Sequence, residues 1–125
     1  MKTNFFLLTI ALSFTSLINA QSFNTLWKGV NTNIENNLPE SAEVYLDKIE
    51  QKSIKEDNQK ELLKTFIYRF KIFNLKDENP LETSIKFAEE NIGRLQEPEK
   101  SIFNIAIASL YESYLSQNLY NIKKR

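Results

Sequence analysis

The side chains able to carry chemistry are of few kinds. The 125-residue chain has 16 Asp+Glu and 16 Lys+Arg, but no histidine and no cysteine. That removes the commonest general base and the two commonest ligands of structural zinc together. Carboxylates, hydroxyls and amines remain. Glu89 and Glu90 are adjacent, Glu97 and Glu99 flank Pro98, and Glu40 and Glu43 share a helical face. Two-carboxylate hydrolysis needs such groups in a cleft that separates their pKa values. Here they fall on outer faces or in turns, where carboxylates are ordinarily solvated. Ser53 stands near Lys52 and Lys55, the residue types of a Ser–Lys nucleophile. No Gly-x-Ser-x-Gly elbow and no glycine-rich phosphate loop accompany it. The acidic turn Lys76-Asp77-Glu78-Asn79 lacks the spacing of a calcium loop. The residues therefore predict a non-enzyme with no catalytic, cofactor-binding or metal-binding side chains and no small-molecule substrate.

The elements that would position these groups all read as helices. Phe23, Leu26, Trp27, Val30 and Ile34 recur at helical spacing behind Ser22, a suitable N-cap. Asn36, Asn37 and Leu38 close that segment, and Pro39 opens a second helix with Ala42, Tyr45, Leu46 and Ile49 inward, running to about Lys55. Glu56, Asp57 and Asn58 form a polar turn. A third helix turns Leu62, Leu63, Phe66, Ile67, Phe70 and Phe73 inward. Pro80 opens a fourth with a stripe of Leu81, Ile85, Ala88, Ile92 and Leu95. Pro98 begins a fifth, apolar on nearly every side from Ile102 to Tyr111; such a helix is normally buried between others. Trp27, Leu46, Phe66, Phe70, Ile85, Phe103 and Leu110 are the expected packing anchors, with a binding groove the alternative role for Trp27. Tyr111, Tyr114 and Tyr120 could form a ligand platform, or pack one side and wet their hydroxyls.

Pro39-Glu40-Ser41-Ala42 and Pro80-Leu81-Glu82-Thr83 each open a helix that is followed by a more apolar one, a spacing typical of helical-pair repeats. The fold class is thus all-α: about five antiparallel helices stacked as pairs, TPR-like or α-solenoid-like, although the tetratricopeptide consensus is absent. A solenoid needs a polar cap at each end, and the most apolar helix here is the last. Residues 21–125 are accordingly expected to be the N-terminal part of a longer protein.

The first 20 residues read as a signal peptide. Lys2 is followed by an apolar run, Phe5 to Leu17, too short to span a bilayer stably, and cleavage after Ala20 leaves a small residue at the cut. An uncut anchor is the alternative. The expected chain is exported, secreted or periplasmic. The mature chain would carry 15 Lys+Arg against 16 Asp+Glu, which gives no electrostatic reason to bind nucleic acid. Without cysteine, packing alone must hold the domain together in an oxidising compartment.

Gln21-Ser22-Phe23 followed by Leu26-Trp27-Lys28, then Leu38-Pro39-Glu40-Ser41-Ala42, Lys64…Tyr68-Arg69, and Leu110-Tyr111-Glu112…Tyr114-Leu115…Gln117-Asn118, resemble in order and spacing the N-terminal helical region of the large alpha-2-macroglobulin-like proteins of Bacteroidetes. Gly29 and Ser53 depart from that pattern. The resemblance implies an endopeptidase inhibitor of the protease-trap kind, in which a bait segment is cut and the protease caged. The bait and any thioester would lie in later β-sandwich domains, and this chain would scaffold or dock. Its partners would be the downstream domains of the same polypeptide, and proteases would be targets of the parent protein. A stand-alone helical-repeat adaptor of the envelope is the other reading.

Overall fold

The computed structural model describes residues 21–124. The expected signal peptide, 1–20, and Arg125 lie outside the described residues. Five α-helices follow one another: α1 (Phe23–Glu35), α2 (Pro39–Lys55), α3 (Gln59–Lys76), α4 (Pro80–Asn91) and α5 (Glu99–Lys123), with one 3₁₀ turn (Ile92–Arg94) before α5. No strand occurs among the described residues.

Local chemistry sets most helix ends. The Ser22 hydroxyl accepts the Thr25 amide at 3.2 Å, and the Asn58 side chain accepts the Glu61 amide at 3.2 Å. Each satisfies a donor that a helix start leaves orphaned. Pro39 and Pro80 occupy first-turn positions, where the missing N–H costs nothing. The α1–α2 and α2–α3 turns are built alike. Asn37 (φ 57°) and Asp57 (φ 51°) take the left-handed conformation that Asn and Asp tolerate. The next amide then reaches back, Leu38 to the Asn33 carbonyl and Asn58 to the Ser53 carbonyl, each at 2.8 Å. This Schellman closure satisfies carbonyls at the helix end and reverses the chain within three residues.

Each helix packs on the one before it, and α5 also reaches α3. Lys76 meets Glu43 while Arg69 meets Glu50, so α2 and α3 run antiparallel. Two core clusters share α3. The first joins Leu26, Trp27 and Val30 of α1, Ala42, Leu46 and Ile49 of α2, and Ile72 of α3. The second joins Leu62, Leu63 and Phe66 of α3, Ala88 of α4, Leu95 of the connection, and Phe103 and Ile107 of α5.

Three details differ from the sequence expectation. α4 stops at Asn91, and the chain passes through Gly93 to an extended Leu95, which enters the core. α4 also turns Ser84 and Ala88 inward rather than the Leu81–Ile85 edge. The reason is Phe87, whose ring meets those of Phe66, Phe70 and Phe73 at 5.5 to 6.2 Å and fixes the rotation of the helix. Ile67 of α3, expected inward, is exposed, because it falls beyond the Phe66–Phe70 face on the side of the helix turned away from Arg69 and Ile72. No described helix is long and apolar enough to cross a membrane.

Candidate functional site

Between Lys100 and Lys123 the only charged residue of α5 is Glu112. Phe103, Ala106, Ile107 and Leu110 pack inward against the second cluster. A different set faces out. Ala108, Tyr111, Leu115, Leu119 and Ile122 are all exposed, Leu115 to 59% and Ile122 to 66%. Their spacing of three and four residues places them in one stripe along α5. The expectation that this helix is buried between others is therefore corrected. It has two apolar faces, and among the described residues only one is covered. A helix surface poor in charge and rich in tyrosine and leucine has the composition of an interface core, not of an ordinary wetted face.

Beside that stripe an open groove of about 250 Å³ separates the start of α4 from the end of α5. Glu78, Asn79 and Glu82 line one wall and Tyr114, Gln117 and Asn121 the other. The amides can pair with a peptide main chain, and the two carboxylates favour a basic or neutral segment. The Tyr111 hydroxyl donates to Glu89, tying α5 to α4 just beyond the groove. Tyr114 is thus part of the groove wall, while Tyr111 and Tyr120 do not join it in one platform.

No protein-family model, curated protein or solved structure matches the chain.

The charged groups with defined geometry lie on the other side of α3. Arg69 is 9% exposed and donates to Asp47 at 2.6 Å and Glu50 at 2.9 Å, while Arg94 pairs with the second Glu50 oxygen at 2.7 Å. Burial works against the Arg69 charge, but hydrogen bonds and attraction from Asp47 and Glu50 outweigh it and hold the guanidinium above its usual pKa. Its Nε has no hydrogen-bond partner among the described residues. The cluster joins α2, α3 and the 3₁₀ turn, and its two acids each already face a cation. Lys76 donates to Glu43 at 2.7 Å, and that bond, opposed by partial burial, raises the lysine pKa. Arg69 and this bracing were not among the sequence candidates. The legible signals were a cation in register with Ile72 on an inner face, and acids at three-residue spacing on α2.

The candidate groups for chemistry are dispersed. Ser53 is buried and donates to the Ile49 carbonyl at 2.7 Å, and Lys52 pairs with Glu56 at 2.6 Å, so no Ser–Lys contact forms. Glu97 accepts from the Ser101 hydroxyl, Glu99 is buried at the start of α5, and Glu43 is held by Lys76. Of the packing anchors, Trp27, Leu46, Phe66 and Phe103 are buried, while Phe70 and Leu110 are partly buried against the second cluster. Ile85 is half-buried and outside both clusters. Trp27 meets Tyr68 at 4.7 Å between ring centroids, carries Lys64 over its face at 4.1 Å, and donates its indole N–H to Glu61. The tryptophan thus knits α1 to α3.

Proposed function

We propose that this chain is a non-catalytic helical scaffold and docking module at the start of an exported alpha-2-macroglobulin-like endopeptidase inhibitor. The observation that carries the reading is the exposed, charge-depleted stripe of α5, a surface suited to another protein and to no reaction. The order of the Leu26-Trp27-Lys28, Leu38-Pro39-Glu40 and Leu110-Tyr111-Glu112 segments supports the family assignment. Under this reading the trapping chemistry belongs to downstream domains in the envelope or periplasm, and the module holds them in place.

The test is the source DNA beyond the codon for Arg125, followed by expression of whatever the frame encodes. A long β-rich continuation whose product protects a substrate from endopeptidases supports the reading. A stop codon at that point sinks it. The groove between α4 and α5 favours a second reading, a stand-alone adaptor that binds an extended peptide. A stop codon together with saturable binding of such peptides, lost in Asn121→Ala, would select it.

A further inference from the structure

The stripe on α5 can be placed against the way α3 is used. On α3, Arg69, Ile72 and Lys76 serve the preceding helices, through Arg69 with Asp47 and Glu50 and Lys76 with Glu43. Phe66, Phe70 and Phe73 serve the following helices. At ~100° per residue the second set lies roughly a third of a turn round from the first. On α5, Phe103, Ala106, Ile107 and Leu110 serve the preceding helices. Ala108, Tyr111, Leu115, Leu119 and Ile122 again lie roughly a third of a turn round, in the same sense. The open stripe therefore stands where α3 receives its next antiparallel helix. An antiparallel helix with an uncharged apolar stripe is the element that fits there.

We propose that this helix is α5 of a second copy of the chain, packed antiparallel about Leu115. The stripe is complementary to itself in that arrangement. Tyr111 meets Leu119, and the small Ala108 meets the larger Ile122, so small and large side chains alternate across the seam. Charge selects the same arrangement. Glu112 and Lys123 are exposed on one shoulder of the stripe, and antiparallel helices bring like shoulders together. Lys123 of one copy then lies about 7 Å along the axis from Glu112 of the other, within the combined reach of both side chains. Two such pairs form by symmetry against a single approach of Glu112 to Glu112 at about 9 Å along the axis, whereas a parallel arrangement would set Glu112 directly against Glu112 and Lys123 against Lys123. The inference rests on the docking-module reading and names the partner of that face.

The chain has no cysteine, so single cysteines report contacts cleanly. Sedimentation of the purified protein at roughly 100 µM, well above a micromolar dissociation constant, is expected to give a dimer. Leu115→Glu should weaken it by roughly a hundredfold or more, as an unpaired charge in an apolar seam does, with helicity by circular dichroism unchanged. Glu112→Lys should weaken it several-fold, and adding Lys123→Glu should restore it. Leu115→Cys, next to its own copy, should form a disulfide-linked dimer, while Lys48→Cys on α2 should not. A monomer at that concentration, or a dimer indifferent to Leu115→Glu, overturns the proposal. Either result leaves the docking-module reading standing with a different occupant, whereas a stop codon after Arg125 removes that reading and leaves any dimer intact.

Discussion

The two clusters that meet at α3 solve the same packing problem with different materials. On the α1–α2 side the buried residues are mainly aliphatic: Leu26, Val30, Leu46, Ile49 and Ile72 are at most 2% exposed. Arg69 and Lys76 brace that side to the acids of α2. On the α4–α5 side the contacts are ring against ring, with Phe70 and Phe103 stacked at 5.8 Å and Phe66 tilted against Phe103 at 5.7 Å. The first cluster lies among three elements joined by tight turns. The second ends on a helix whose far face carries exposed leucines. One side is closed by its own contacts, and the other ends, among the described residues, on an open apolar face. α3 can serve both because its charged and aromatic faces point to different neighbours.

Removing a ring at the junction is the most severe way to probe that contrast. Phe66→Ala should cost about 3–5 kcal/mol, a large part of the ~5–15 kcal/mol of a typical domain. Hydrogen exchange on this variant should show α4 and α5 losing protection before α1 and α2; uniform loss would mean the two clusters unfold as one unit. Arg69→Leu attacks the closed side and should cost about 2 kcal/mol in denaturant melts. The cost is moderated because Arg94 still pairs with Glu50 and Asp47 is largely exposed. Next in size is Gly29→Ala. A Cβ there would lie 2.5 Å from the Tyr45 ring, so the ring must move. The net loss should be about 1 kcal/mol despite the better helix propensity of alanine.

The smallest effects belong to the surface. In protein dilute enough to be monomeric, Leu115→Ser should leave the unfolding free energy within about 0.5 kcal/mol yet reduce binding of a hydrophobic dye, whereas Leu46→Ser should destabilise the fold outright. Equal destabilisation by the two would erase the contrast between the clusters. Because the folded-state pKa of Lys76 is raised, its bond to Glu43 should stabilise fully below the ordinary lysine value near ~10.4 and fade as pH rises through the folded value. Lys76→Met should flatten that alkaline limb of a stability–pH curve.

Much of the architecture is legible without coordinates. The five helices follow from apolar residues at three- and four-residue spacing, and their starts from Ser22, Pro39, Asn58 and Pro80. Both Schellman turns are foreshadowed by Asn37 and Asp57, residues that accept left-handed backbone. Three features resist that reading. Gly29 looks like a weak point in α1 until the Tyr45 ring is found against it. Ser53 looks like a candidate nucleophile until its hydroxyl is found bonded to the turn before it. The stretch Ile102–Tyr111, apolar on nearly every side, fits a buried helix as well as one with an open face.

The division follows from the range of the forces. Helix spacing, caps and turn conformations are decided by backbone geometry and side chains within four or five residues, so the amino-acid sequence determined them by itself. The rotation of α4, set by Phe87 among three rings of α3, depends on contacts between distant segments. So does the burial of the Arg69 charge beside Asp47 and Glu50. The same holds for α5, where apolar residues mark a face for cover but only the positions of α3 and α4 decide which of its two faces is covered within the chain.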